Sequence, residues 1–149
     1  MPGESAARKA RRVVIACRVM EPEFACVLAE EGAGEDVPEI VYLDQVLHRT
    51  PAKLLSLVQE KIDQVAQTAS RIVLGYGLCS NGVVGITARQ QGLIIPRCHD
   101  CIALFLGSPE RYHDLFQSKP GTYYLTPGWI AEKKDPLGIM EEQVPRYGL

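Results

Sequence analysis

No apolar run in this chain of 149 residues approaches the length needed to cross a bilayer. Excess charge of one sign is lacking too. Sixteen basic against 18 acidic side chains leave a formal net charge of -2, so no global basic field marks a nucleic-acid binder. No secretory leader is expected either. Residues 13–16 behind Arg8, Lys9, Arg11 and Arg12 imitate a lipoprotein cleavage site before Cys17, but that stretch is far too short for an apolar h-region. There is no internal repeat or low-complexity segment, and an odd count of 5 cysteines fits a disulfide framework poorly. These absences exclude nucleic-acid and membrane partners. They point to the cytoplasm, with reduced thiols available as ligands or nucleophiles.

The chain carries 46% apolar and 23% charged residues, enough for one core at this length. Four short β-branched runs have strand character: residues 13–17, 39–43, 71–76 and 92–95. They do not alternate, as is usual for strands covered on both faces. Residues 122–125, between Pro120-Gly121 and Pro127-Gly128, are a fifth candidate. Helical patterns fill the gaps. Thr50 and Pro51 open a helix whose Leu54, Val58, Ile62 and Val65 form one apolar stripe. Pro22 opens a shorter helix with Phe24, Val27 and Leu28 on its apolar face and Cys26 as a small buried thiol. Residues 81–89 and 101–106 read as short helices, the latter stopped by Gly107, and Ser108 caps another that runs to about Phe116.

This alternation predicts a three-layer, Rossmann-like α/β domain with a mainly parallel sheet of four to five strands. Strand one should be central, with strands two and three on either side. Residues 1–10 read as a disordered tail, 11–130 as a single α/β domain, and 131–149 as a charged, turn-rich C-terminal extension. That extension could reach a partner, or the chain could be the front part of something longer.

Placed on this strand map, Cys17, Cys79, Cys98 and Cys101 all follow strand ends, and parallel strands direct their ends to the one sheet edge where open α/β folds bind ligands. Cys17, Cys79 and Cys101, with His99, Cys98 or water as fourth donor, make a candidate zinc site; iron or an iron–sulfur cluster is the alternative. Tyr76, Gly77, Asn81, Asp100 and Trp129 are candidate substrate contacts in the same loops. Two competing readings use fewer of these residues. Cys98-x-x-Cys101 at a helix start has the form of a thiol redox pair, and residues 77–81 form a nucleophile elbow around Cys79 that lacks its final glycine, with His99 or His48 as base. His48 otherwise reads as a residue of a polar turn and His113 as a surface residue. A dinucleotide loop is excluded because Ser80 stands where the third glycine belongs.

Several segments together resemble a known family: residues 42–45 with 47–51, Gly75-Tyr76-Gly77-Leu78-Cys79, residues 99–107 and residues 120–129. They resemble a prokaryotic domain of unknown function whose members tend to be encoded beside corrinoid-dependent methyltransferases. The resemblance runs from about Val13 to Trp129, and the family pattern maps onto Cys17, Cys79, His99, Asp100 and Cys101 but not Cys98. It implies a role in or beside methyl transfer and one-carbon metabolism, with a corrinoid protein or methyltransferase as partner. Family members look longer, with a second α/β segment after the Trp129 region. A non-catalytic interaction module and a homo-oligomer stay open.

Overall fold

The computed structural model describes residues 11–30, 32, 37–133 and 135–147. The expected N-terminal tail, residues 1–10, lies outside them. Three parallel strands form the sheet: β1 (Arg12–Cys17) at the centre, β2 (Glu39–Leu43) on one side and β3 (Arg71–Gly75) on the other. The strand order is the expected one. Cys17 pairs with Leu43 and Ala16 with Gly75, so the three strands end at nearly the same level.

The expected fourth strand shrinks to a single parallel bridge between Val73 and Ile94. Gly92 turns the chain in with a φ of 71°, Pro96 has no N–H to extend a ladder, and Ile94 and Ile95 stay exposed. Residues 122–125 form no strand, and residues 81–85 form turns rather than a helix. The sheet therefore has three strands rather than four or five.

Helix α1 covers Glu21–Glu30 and α2 covers Pro51–Ala66. The stripe of Leu54, Val58, Ile62 and Val65 is buried as its spacing requires, packed with Val13, Ile15, Ile72 and Leu74 of the sheet. Each such side chain contributes roughly 1.5–3 kcal/mol by leaving water. Cys17 shares the sheet face of Val13 and Ile15 through the two-residue period of a strand. On the other face Phe24 of α1 approaches Gly75, where an added Cβ would stand 3.4 Å from its ring and 2.7 Å from Ala16 Cβ. The rest of α1 departs from expectation: none of its residues is buried, Val27 is exposed, and Cys26 is a surface thiol near Glu30.

After β3 the chain runs through turns to α3 (Cys101–Leu106), α4 (Pro109–Ser118), α5 (Pro127–Ala131) and α6 (Pro136–Tyr147). Asp100 caps α3 by accepting from Ile102 and Ala103 N–H, and Gly107 ends it in the left-handed region. Ser108 caps α4 and Thr126 caps α5. The region expected to be turn-rich beyond residue 131 is largely helical, in α6. Among the described residues no helix is long and apolar enough to cross a membrane.

Candidate functional site

Three chain segments meet where the strands end. The first is Cys17, closing β1, followed by a 3-10 turn at Arg18–Met20. The second leaves β2 through Asp44, whose carboxylate accepts from Val46 N–H and starts the 3-10 turn Gln45–Arg49. The third leaves β3 through Tyr76 and Gly77. There Leu78 N–H donates to Cys98 O and Cys79 N–H to His99 O, both at 3.1 Å. Within this bend Cys98 is buried, His99 exposed and Asp100 half-buried.

Cys79, Ser80 and Asn81 then follow one another at φ of 46°, 57° and 66°. Three successive left-handed residues, only one of them an Asn, store strain of about 1–2 kcal/mol per ill-suited residue. Asn81, which stands where the elbow pattern has its final glycine, is the one of the three whose side chain tolerates the left-handed region well.

These segments enclose a cavity of about 420 Å³. Cys17, Cys79 and Cys101 all line it, as do Tyr76, Asp100 and Trp129. Burial and neighbouring charge raise all three thiols. Burial pushes the Cys79 thiol up to about 11, with the Cys17 charge adding to the shift. Burial and the neighbouring charges of Cys79 and Cys17 push Cys101 up as well. Cys17 is raised by burial and then by Asp44 and Glu132, and Tyr76 by burial and then by all three thiols. At neutral pH the cluster holds thiols rather than thiolates. Among the described residues, however, no group of three or more His, Cys, Asp or Glu is placed to hold a metal ion.

His99 is exposed and does not line the cavity; it contributes its backbone carbonyl to the Cys79 loop. Asn81 is exposed, and Cys98 is buried outside the cavity lining. Gly77 instead permits close packing, since a Cβ there would meet the backbone of Asp100 at 2.7 Å. The raised thiol of Cys98, displaced by burial and then Asp100, departs from the lowered value expected of a reactive redox pair.

Sequence reasoning offered His48 only as an alternative base for Cys79 and missed Gln45, Asp44 and Tyr124; all four line the cavity. His48 Nδ1 is hydrogen-bonded to the carbonyl of Gln45. A carbonyl only accepts, so Nδ1 carries a hydrogen and Nε2 keeps the lone pair in the neutral ring. The missed signal was the one already applied to the cysteines: residues directly after β2 belong at the same edge. Trp129 is positioned by α5, where Gly128 lies directly against Val19 O, and its ring meets Phe105 edge-on at 6.1 Å.

No curated protein and no solved structure matches the chain. A family model matches residues 42–146, a span that includes Cys79, Cys101 and the Gln45–Arg49 turn and begins after Cys17. The chain belongs to the family described as "Protein of unknown function (DUF1638)".

Proposed function

We propose that the protein is a metal–thiolate protein, with zinc as the ion, acting in or beside corrinoid-dependent methyl transfer. One observation carries the metal reading: three thiols from the ends of β1, the post-β3 loop and the start of α3 line one cavity. Burial raises all three; the Cys17 charge further raises Cys79, both raise Cys101, and Asp44 on Cys17 and Asp100 on Cys79 and Cys101 act in the same direction. A divalent cation reverses that sign, and a soft ion suits thiolate donors. The donor chemistry fits; binding would have to draw the three sulfurs together, chiefly through the Cys79 turn. Zinc would supply a Lewis acid that keeps a bound thiol ionised at neutral pH. His48 replaces His99 as the candidate imidazole donor, since it shares the cavity and its Nδ1 hydrogen bond leaves Nε2 free to ligate. Tyr76 and Trp129 wall the cavity, and the Asp100 cap fixes the start of α3 beside Cys101. The corrinoid partner rests on the family resemblance.

The test is elemental analysis of protein purified under reducing conditions. Stoichiometric zinc, lost in Cys79→Ser and Cys101→Ser but kept in Cys98→Ser and His99→Ala, is the expected result. Iron in its place would change the ion and keep the site. Metal-free protein that also fails to take up added zinc or iron would sink the reading.

A further inference from the structure

We propose that the cavity seats a small organic ammonium ion, its N–H groups on Gln45 Oε1 and Tyr76 Oη and its apolar body against Tyr124 and Trp129. The first observation is a set of orphaned atoms. Among the described residues five buried side-chain oxygens have no hydrogen-bond partner, and three of them, on Gln45, Tyr76 and Tyr124, belong to this one cavity. Gln45 is 7% and Tyr76 2% exposed, so water does not readily satisfy them. Buried polar atoms are rarely left unpaired, and a cluster of them on residues that line one cavity marks where a ligand, reached by small side-chain shifts, makes the missing bonds.

An amide oxygen only accepts, and a phenol oxygen can accept, so the complement is a ligand that donates. Charge decides which donor. Asp44 and Asp100 line the cavity, and the acidic groups near the thiols all oppose anionic charge there. Asp44 and Arg49 are both exposed, where solvent screens each, which leaves the half-buried Asp100 as the lining charge that counts. An anion would meet the half-buried Asp100 carboxylate and the Gln45 amide oxygen, with only the two phenol O–H groups able to donate to it. A cation meets the carboxylate, the amide oxygen and the phenol oxygens favourably, beside the aromatic rings of Tyr124 and Trp129. The volume suits a compact molecule at the small end of ligand pockets. None of this requires a bound metal, so the proposal stands or falls independently of the zinc site.

Trp129 is the only tryptophan of the chain and lines the cavity, so its fluorescence reports occupancy. Reduced, chelator-treated protein is titrated with n-butylammonium, n-butanol and butyrate at constant ionic strength. The expected result is a saturable change with butylammonium, at least tenfold weaker in Tyr76→Phe and Gln45→Leu, and no saturable change with butyrate. Far-UV circular dichroism checks that both variants stay folded. Tyr76→Phe keeps the side chain's shape and decides alone if Gln45→Leu does not fold. Butyrate binding as tightly as butylammonium, butanol matching it, unchanged binding in Tyr76→Phe, or no saturable response to butylammonium would each overturn the proposal.

Discussion

Gly77 lies with its bare Cα against the backbone of Asp100, so close that a methyl group there would stand 2.7 Å from Asp100 Cα. Two thiols that are remote in sequence depend on this contact, because Cys79 follows Gly77 and Cys101 follows Asp100. Gly77→Ala is expected to push the Cys79 loop off the Asp100 cap. The cost should be about 1–3 kcal/mol, as for other overpacked sites. Urea denaturation measures it, and zinc uptake should fall in the same variant.

The left-handed turn at Cys79–Asn81 predicts the opposite outcome one residue further on. Ser80 adopts a φ of 57° and is exposed, so Ser80→Gly relieves strain without removing packing. A gain of about 0.5–1 kcal/mol is expected, less than the full left-handed penalty because glycine loses more freedom on folding. An unchanged or lower denaturation midpoint would show that the turn is not strained at Ser80.

The stripe on α2 and the three strands were legible because burial repeats with the period of the element. Leu54, Val58, Ile62 and Val65 fall on one side of a helix whatever surrounds them. The thiol-lined edge was legible because parallel strands deliver their ends together. His99 was misplaced for a local reason. The carbonyls of Cys98 and His99 hold the Cys79 loop through a bend that leaves the His99 side chain exposed, and composition does not say which side chain of a bend faces the cavity. Gln45 was passed over, and His48 kept only as an alternative base, because a polar turn looks solvated, although Gln45 is buried and the turn lines the cavity. The fourth strand failed because a β-branched run still needs a ladder, which Gly92 and Pro96 confine to one bridge.

Alkaline pH should unfold the protein. Cys79 titrates near 11 in the folded chain against an ordinary value near 9, and Cys17 and Cys101 shift the same way. The neutral thiol is favoured by folding. Its contribution is therefore complete below pH about 9 and is lost as pH rises through the folded value. Cys79 alone accounts for something on the order of 2–3 kcal/mol. Urea midpoints measured from pH 7 to 11 under reducing conditions should fall above pH 9, and a flat profile to pH 11 would contradict it. Zinc binding at pH 7 should in turn release about three protons, read from the dependence of the calorimetric heat on buffer.

Thiol accessibility gives a further prediction. Cys26 is exposed on α1, whereas Cys17 and Cys98 are buried and Cys79 and Cys101 are half-buried with raised values. Limited treatment with iodoacetamide at neutral pH should label Cys26 first, with the cavity thiols following only on unfolding. Peptide mass spectrometry identifies the sites. Early labelling of Cys79 would mean that its loop opens readily.

Gly128 touches Val19 O, which joins α5, late in the chain, to the turn directly after the first strand. During synthesis the three strands are complete once Gly75 has emerged, but the cavity still lacks the wall that carries Trp129. At about 5–20 residues per second, the intervening stretch leaves the turn after β1 uncovered for several seconds on the ribosome. A nascent chain stalled before Pro127 should therefore hold a formed sheet beside an open, thiol-lined hollow, and that interval is when an ion or an oxidant would reach Cys17 most easily.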